Sequence, residues 1–269
     1  MLKSAWVAAA GFLATALLAA PPSEARSLDA IIKSGSIRVG VNPTLPPLGT
    51  YDDKNEISGF DVEYAKEIAD KLGVKLEVVS VGSPDRIPFV TSDRVDFVLG
   101  GMTRNSERAK VIDFTVPVYT EGLSVLQTGG TKPKSWNELN TPDTKLVEVR
   151  GTTPVSFIKE TLPKAQLTLL DNYPDAVRAL AQGRGNTIID VVDYLGSYTK
   201  TYTGVEWQVT SMPVDVDYDC MGVAKGNSSL KDWLDIAAFE LERSGKRGEL
   251  WKKWFGLDMT YPIPLNPYF

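Results

Sequence analysis

Strand-like and helix-like segments alternate along this chain, and they do so twice in the same order. The first unit starts with the β-branched run SIRVGVN at 36–42, followed by a helix-forming stretch at 62–72. Apolar residues in that stretch recur at helical spacing, with Asp61 placed as N-cap and Gly73 as the stop. Strand-like runs at 74–81 and 94–101 complete a β-α-β-α-β order. This order predicts an α/β fold with a largely parallel sheet.

A second unit repeats the order after a Gly-, Pro- and Lys-rich boundary. Its strand-like and helix-like segments lie at 146–151, 154–162, 166–171, 173–183 and 186–192. The chain is therefore predicted to contain two α/β lobes. Ligands of open α/β sheets bind beyond the carboxyl ends of strands and at domain interfaces. Three loops meet that condition: 101–108, 150–154 and 190–194.

The first 25 residues have the layout of a secretory signal peptide. Lys3 precedes an apolar stretch from Ala5 to Ala20, and small residues lead to an expected cleavage site after Ala25. The apolar stretch is shorter than the roughly 20 residues that span a membrane, which disfavours the alternative of a retained anchor. We expect an exported, soluble protein of a Gram-negative periplasm. The single Cys220 excludes an internal disulfide and is expected to be buried.

The composition excludes several classes of function. A net charge of −5 disfavours a nucleic-acid partner, which requires a basic patch. The chain has no histidine, which rules out Ser-His-Asp and Cys-His nucleophilic sites and the usual zinc ligand sets. We therefore predict no metal site, no cofactor and no catalytic residues. An enzyme on this chain would have to use carboxylates, Lys, Tyr or Ser.

The stretch GGMTRNSERAKVIDF at 101–115 carries the first candidate site. Gly101 lets a ligand approach the backbone, and Thr103 supplies a hydroxyl group. Arg108 falls near the start of the expected helix, where a cation opposes the helix dipole. An anionic ligand would make that arrangement favourable, because amides, hydroxyl and guanidinium would all face one carboxylate. The stretch is therefore predicted to bind a carboxylate.

Two features of this stretch have a simpler interpretation. Asn105 or Ser106 is expected to cap the helix that follows. Arg108 can instead form a surface ion pair with Glu107 or Asp113, and such pairs are common and weak. The sequence alone leaves the choice between a ligand-binding and a surface-paired Arg108 open.

The second and third loops supply complementary groups. In VEVRGTTPVSF, the free N–H groups of a helix start and the hydroxyl of Thr153 can bind an oxyanion, although plain capping by Thr is the alternative. In NTIIDVVDYLGSY, either Asp190 or Asp193 can hold an ammonium group, and the other is then an N-cap. An α-amino acid carries both of the charges that these loops would bind.

The motifs GFDVEYAKEIADKLGV, GGMTRNSERAKVIDFTVPVY, VRGTT and GKRGELWKKWFG occur in this order. The chain thereby resembles the periplasmic polar amino-acid-binding proteins that serve ABC importers. The resemblance implies the type II periplasmic-binding-protein fold, with two α/β lobes joined by hinge strands near Val118–Gly122 and Asp217–Gly222. Lobe 1 would then comprise 26–119 and 219–269, and lobe 2 would comprise 120–218.

The resemblance also assigns roles to residues. Those matching Thr103 and Arg108 hold the ligand α-carboxylate, assisted by the Gly101 backbone and Thr153, and a second-lobe Asp takes the α-ammonium. In the family that Asp lies eight residues after the Gly of a Gly-Arg turn.

Here the eighth residue is Val191, so Asp190 and Asp193 remain alternatives. Asp193 is preferred slightly, because Asp193-Tyr194 matches the strand-to-helix junction. The first loop also departs from the family, since Leu45 and Leu48 replace the aromatics that often flank its Pro pair. These leucines indicate an aliphatic side-chain pocket.

The sequence thus predicts a monomeric periplasmic binding protein. It would capture an α-amino acid, or a related small carboxylate, between two closing lobes and deliver it to an ABC transporter permease in the inner membrane. The alternative is an enzyme similar to the cyclohexadienyl dehydratases, which act on prephenate or arogenate on the same fold. A sensor or channel module is disfavoured, because no membrane or kinase segment follows the lobes.

Overall fold

The computed structural model describes residues 25–130, 132–212 and 216–263, so the predicted signal peptide lies outside the described residues except for Ala25. The strands are β1 (Ser36–Val41), β2 (Thr50–Tyr51), β3 (Ile57–Ser58), β4 (Lys75–Ser80), β5 (Phe97–Val98), β6 (Ile112–Glu121), β7 (Leu123–Thr128), β8 (Lys145–Val149), β9 (Gln166–Leu170), β10 (Thr187–Val191), β11 (Trp207–Ser211) and β12 (Asp217–Ala224). The α-helices are α1 (Leu28–Ser34), α2 (Phe60–Leu72), α3 (Arg86–Thr91), α4 (Thr153–Thr161), α5 (Tyr173–Ala181), α6 (Val192–Thr201), α7 (Ser228–Arg243) and α8 (Lys246–Phe255).

Two five-stranded sheets organise the chain, as the repeated α/β order predicts. The first sheet has the order β4-β1-β5-β12-β6, and the second has the order β11-β7-β10-β8-β9. The strands of each repeat pair in parallel, for example β1 with β4 and β8 with β9. The α/β fold class is confirmed.

The sheets are mixed rather than largely parallel, and the antiparallel strands have a common origin. Strand β12 runs antiparallel to β5 and β6, and β7 runs antiparallel to β10 and β11. Strands β6 and β7 follow each other from one sheet into the other through Gly122, and β12 is the return strand. The chain leaves the first sheet through β6 and returns to it through β12, which lies beside β6. The two strands therefore run in opposite directions.

The C-terminal end of α2 follows its local sequence signal, whereas its N-cap differs from the prediction. Gly73 ends α2 in the left-handed conformation (φ 74°), as expected. Gly59, with φ 135°, rather than Asp61, is the N-cap of α2. The fully buried Asp61 carboxylate instead accepts a hydrogen bond from the Gly100 N–H, 2.8 Å away. The Asp61 side chain therefore makes a long-range contact instead of capping the helix.

The C-terminal helices pack against the first sheet. Helices α7 and α8 contact α2, and α7 also covers β6. The rings of Phe60, Tyr119 and Trp251 form an aromatic cluster at that interface, with ring centroids 5.4 to 5.8 Å apart. Cys220 is a buried free thiol in β12, as predicted. Within the described ranges, none of the helices combines the length and apolarity needed to cross a membrane.

Candidate functional site

The three predicted loops meet between the two sheets, where they line a narrow space. We call this space the cleft cavity. It is lined by Leu45, Gly101, Thr103, Glu121, Thr152, Thr153, Pro154, Tyr173, Asp190, Val191 and Tyr194. Four of the predicted site residues are in this lining, and Arg108 and Asp193 are not. The lining draws on both sheets, as expected if strand ends form the site.

The first loop differs from the sequence prediction in its secondary structure. Gly100 and Gly101 adopt φ values of 76° and 72°, which favour glycine. The expected α-helix is only a 3-10 turn at Arg108–Lys110, because the chain enters β6 at Ile112. The Asn105 side chain accepts a hydrogen bond from the Arg108 N–H at 2.8 Å, so the capping interaction is present.

Arg108 lies at the boundary between the two sheets. Its guanidinium donates to the backbone carbonyl of Thr103 at 2.6 Å and, across the boundary, to that of Gly151 at 2.9 Å. Burial, followed by the neighbouring Arg86, lowers the pKa of Arg108 to about 10, so the side chain stays cationic at neutral pH. This cation is therefore held by neutral carbonyl acceptors at the cleft.

The surface-pair interpretation of Arg108 is wrong. Glu107 pairs with Lys110 at 2.7 Å, and Asp113 pairs with Lys225 at 2.6 Å. The two acids are therefore occupied by other cations.

A second guanidinium, missed at the sequence level, lies beside the first. Arg86, which is 2% exposed, donates to the carbonyls of Gly100 and Gly151 at 2.8 and 3.0 Å, and also to that of Gly101. The Gly151 carbonyl thus receives hydrogen bonds from two arginines. Arg86 lies in SPDRIP at 83–88, where nothing local indicates that the side chain turns inward.

A chain of hydroxyl groups crosses the cleft. Thr153 donates to the Thr103 hydroxyl at 2.8 Å, and Thr103 donates to Glu121 at 2.7 Å. Thr152 precedes α4 but does not cap it with its side chain, which donates to the Val149 carbonyl. Plain capping therefore does not account for these threonines. Glu121, the last residue of β6, was not among the residues predicted for the site.

Asp219 adds a second buried carboxyl next to this chain of hydroxyls. It is 1% exposed, and its backbone forms an isolated β-bridge with Thr103. Burial, and then the nearby Glu121 charge, raise the pKa of Asp219 well above its usual range. Burial and the neighbouring carboxyl therefore both favour the protonated form of Asp219.

The structure separates the two candidate aspartates. Asp190 lines the cleft cavity and accepts hydrogen bonds from the Tyr198 hydroxyl and from the Val191 N–H, each at 2.8 Å. Burial is the main cause that raises its pKa to about 7. Asp193 lies outside the lining and accepts a hydrogen bond from the Thr260 hydroxyl at 2.5 Å. Neither aspartate is the N-cap of α6, whose N-cap is Val191.

The sequence profile of the bacterial extracellular solute-binding proteins, family 3, matches residues 37–257. The ABC transporter glutamine-binding protein GlnH of Bacillus subtilis (strain 168) is 30% identical over 244 residues, which cover 89% of this chain and 88% of GlnH.

Two solved structures show the same fold. The ancestral amino acid-binding protein AncCDT-1, a precursor of cyclohexadienyl dehydratase, is 31% identical, with a TM-score of 0.78 over 85% of this chain and 99% of its own. An amino acid ABC transporter substrate-binding protein from Streptococcus pneumoniae, bound to L-arginine, is 28% identical, with a TM-score of 0.78 over 87% of this chain and 100% of its own.

Proposed function

The chain belongs to family 3 of the bacterial extracellular solute-binding proteins, and we propose that it captures an α-amino acid in the cleft cavity for an ABC importer. Its relatives are named as amino-acid-binding proteins of ABC transport systems, and these are transport proteins rather than enzymes. The family is extracellular. The finer parts of the proposal are a periplasmic location, a permease partner in the inner membrane and a monomeric state.

In this proposal, lobe 1 comprises residues 26–119 and 219–269, and lobe 2 comprises 120–218. The strands near Val118–Gly122 and Asp217–Gly222 serve as the hinge. Direct hydrogen bonds between the lobes support a closed form: Arg86 and Arg108 to Gly151, Thr153 to Thr103, and the Ser197 hydroxyl to the Pro46 carbonyl at 2.8 Å. Closure makes the cleft drier, which strengthens the charge pairs of a bound ligand.

One observation carries the proposal: the cationic Arg108 is held at the cleft by neutral backbone carbonyls. A ligand carboxylate that replaced the Thr103 or Gly151 carbonyl as acceptor would form charge-assisted hydrogen bonds, which are stronger than those to a neutral acceptor. Thr103, Thr153 and the Gly101 backbone line the cavity that Arg108 borders and would complete the carboxylate site.

For the ammonium group, the choice between the aspartates now favours Asp190. The cavity lining includes Asp190, whereas Asp193 is directed to Thr260 in the C-terminal segment. The aliphatic pocket expected from the first loop would be formed by Leu45, which lines the cavity, together with Val191.

The dehydratase alternative has less support. The related structure whose name mentions cyclohexadienyl dehydratase is itself an amino acid-binding protein. A turnover assay with prephenate and arogenate separates the two functions, since product release from either substrate would favour the enzyme.

Titration calorimetry of the mature chain with a panel of common amino acids tests the proposal. We expect at least one amino acid to bind with micromolar or tighter affinity, about −8 kcal/mol or better. Replacing Arg108 with Ala should cost about 2 to 5 kcal/mol of binding free energy, because a buried charge partner is lost.

Arg104→Ala is the matched control. Arg104 lies in the same loop with its guanidinium over the Tyr218 ring, 4.9 Å from the centroid, and outside the cavity lining. Its removal should leave affinity nearly unchanged. Undiminished binding by Arg108→Ala would remove that arginine from the carboxylate site, and the absence of binding by any amino acid would overturn the proposed function.

A further inference from the structure

The charges around the cleft cavity are distributed unevenly. Among the described residues, the lining contains two carboxyl groups, Glu121 and Asp190, and no Lys or Arg. Arg86 and Arg108 lie at the edge, where their guanidinium groups are directed to backbone carbonyls. The interior of the cavity is therefore acidic, whereas its edge is basic.

The two carboxyls come from different elements and are both nearly buried. Glu121 ends β6 and is 6% exposed, and Asp190 lies on β10 and is 5% exposed. Each accepts one side-chain hydroxyl, Thr103 for Glu121 and Tyr198 for Asp190. Within residues 25–130, 132–212 and 216–263, no lysine or arginine forms an ion pair with either carboxylate. Glu121 interacts with the charge of Arg108 without an ion-pair contact. A buried carboxylate that has no positive group in contact is costly, so each of these groups favours a ligand that brings one.

A neutral amino acid supplies only one positive group. If its α-ammonium lies against one of the carboxyls, the other must be protonated or must stay buried without a counter-charge. A second cation on the ligand removes that penalty.

We infer that the solute is an amino acid with a cationic side chain, whose two positive groups lie against Glu121 and Asp190 while its carboxylate lies at the arginine edge. This inference rests on the proposed function and specifies its substrate class. An ammonium or a guanidinium side chain would fit, because both donate several hydrogen bonds and carry one positive charge.

A pair of nearly isosteric ligands tests the charge directly. L-Citrulline has a neutral urea group in place of the guanidinium of L-arginine, so the two differ mainly in side-chain charge. Calorimetry on the unaltered mature chain should show L-arginine or L-lysine binding at least about tenfold more tightly than L-citrulline and L-glutamine. Equal or tighter binding of the neutral ligands would overturn the inference.

Substitutions at Glu121 test whether this carboxylate causes the preference for a cationic side chain. Glu121→Gln keeps the size of the side chain and removes its charge, and it should bring the arginine-to-citrulline affinity ratio close to one. Glu107→Gln is the control, since it removes the same charge from an exposed residue that pairs with Lys110, and it should keep the ratio of the unaltered protein. A Glu121→Gln protein that keeps the full ratio contradicts the inference. Glu121→Asp, which retains the charge, should retain the preference for arginine.

The results distinguish the inference from the proposed function. Binding of neutral amino acids as tightly as arginine, abolished by Arg108→Ala, would support an amino-acid receptor and overturn only the cationic preference. Failure of every amino acid to bind would overturn both.

Discussion

The two walls of the cleft are built from the same strand-loop order, yet they carry different chemistry. The first wall follows β5 and the second follows β8, and each includes a glycine with positive φ, Gly101 at 72° and Gly151 at 81°. The first wall is bordered by two arginines that donate to carbonyls of both walls. The second accepts those bonds at Gly151 and contributes threonine hydroxyls. Equivalent loops in a repeated fold can thus become complementary partners.

The walls also differ in how they use a buried carboxyl. Burial raises the pKa of Asp61 on the first side and of Asp190 on the second side to about 7. Asp61 lies in the interior of the first unit, where it supports the Gly100 backbone. Asp190 faces the cavity. Burial thus raises the pKa of both carboxyls, but Asp61 makes an internal contact, whereas Asp190 would contact a ligand.

The largest expected effect comes from removing the guanidinium that the two walls share. Arg86→Ala leaves the carbonyls of Gly100, Gly101 and Gly151 without that donor, and we expect a loss of about 3 to 5 kcal/mol in the free energy of unfolding. Urea denaturation measures it. Arg94→Ala, which removes a guanidinium that lies over the Phe89 ring at an exposed position, should cost less than about 1 kcal/mol. Equal losses in the two variants would show that Arg86 does not join the walls.

The interior carboxyl makes stability depend on pH. The folded-state pKa of Asp61, about 7, is above its usual value of 3.8, so the folded state binds the proton more tightly. The contribution of Asp61 to stability is therefore fully present below pH 4 and is lost as pH rises toward 7. Asp61→Asn, which can still accept from the Gly100 N–H, should raise the free energy of unfolding at pH 8 by about 2 to 4 kcal/mol. If the stability of Asp61→Asn, from melting curves between pH 4 and 8, changes with pH as steeply as that of the unaltered protein, this assignment is contradicted.

The cavity carboxyl should affect affinity rather than only stability. Asp190→Asn is expected to weaken amino-acid binding about 10- to 100-fold at pH 8, since the ammonium loses its charged partner. In the unaltered protein, affinity should increase as pH rises through 7, because Asp190 must lose its proton, and the Asn variant should lose that dependence. Asp193→Asn is the control and should change the dissociation constant less than about twofold. A larger loss for Asp193→Asn, measured by calorimetry, would restore the original preference for that residue.

The smallest effect concerns the contact between the walls. A Cβ on Gly151 would lie 2.9 Å from the Pro84 Cα, whereas a Cβ on Gly183, at a similar φ of 71°, meets no atom within 4 Å. Both Gly→Ala changes carry the same left-handed backbone cost of about 1 kcal/mol in stability. Only Gly151→Ala should also weaken ligand binding, about 3- to 10-fold, because it opposes closure. Equal affinities in the two variants would show that the contact has no role in closure.

Much of the site could be predicted because it follows from chain order. Strand ends in an α/β unit lie at a common edge, so the convergence of Gly101, Thr103 and Thr153 needed only the position of the strands. Chain order alone did not decide between Asp190 and Asp193. Asp190 is still in β10, where each residue faces the side opposite to the next, and Asp193 lies on the first turn of α6. Boundaries must be known to within one residue before such faces can be assigned.

The sequence by itself determined the α/β class, the two repeats and the loops that carry the candidate site, because these depend on periodicity and on glycine and proline positions close in the chain. Only the tertiary structure decided that Arg86 turns inward, that Glu121 and Asp219 form a buried acidic pair, and that Arg108 bonds to carbonyls rather than to Glu107. Those outcomes depend on burial and on contacts between residues that are tens of positions apart. Local patterns do not encode the electrostatic environment that such contacts create.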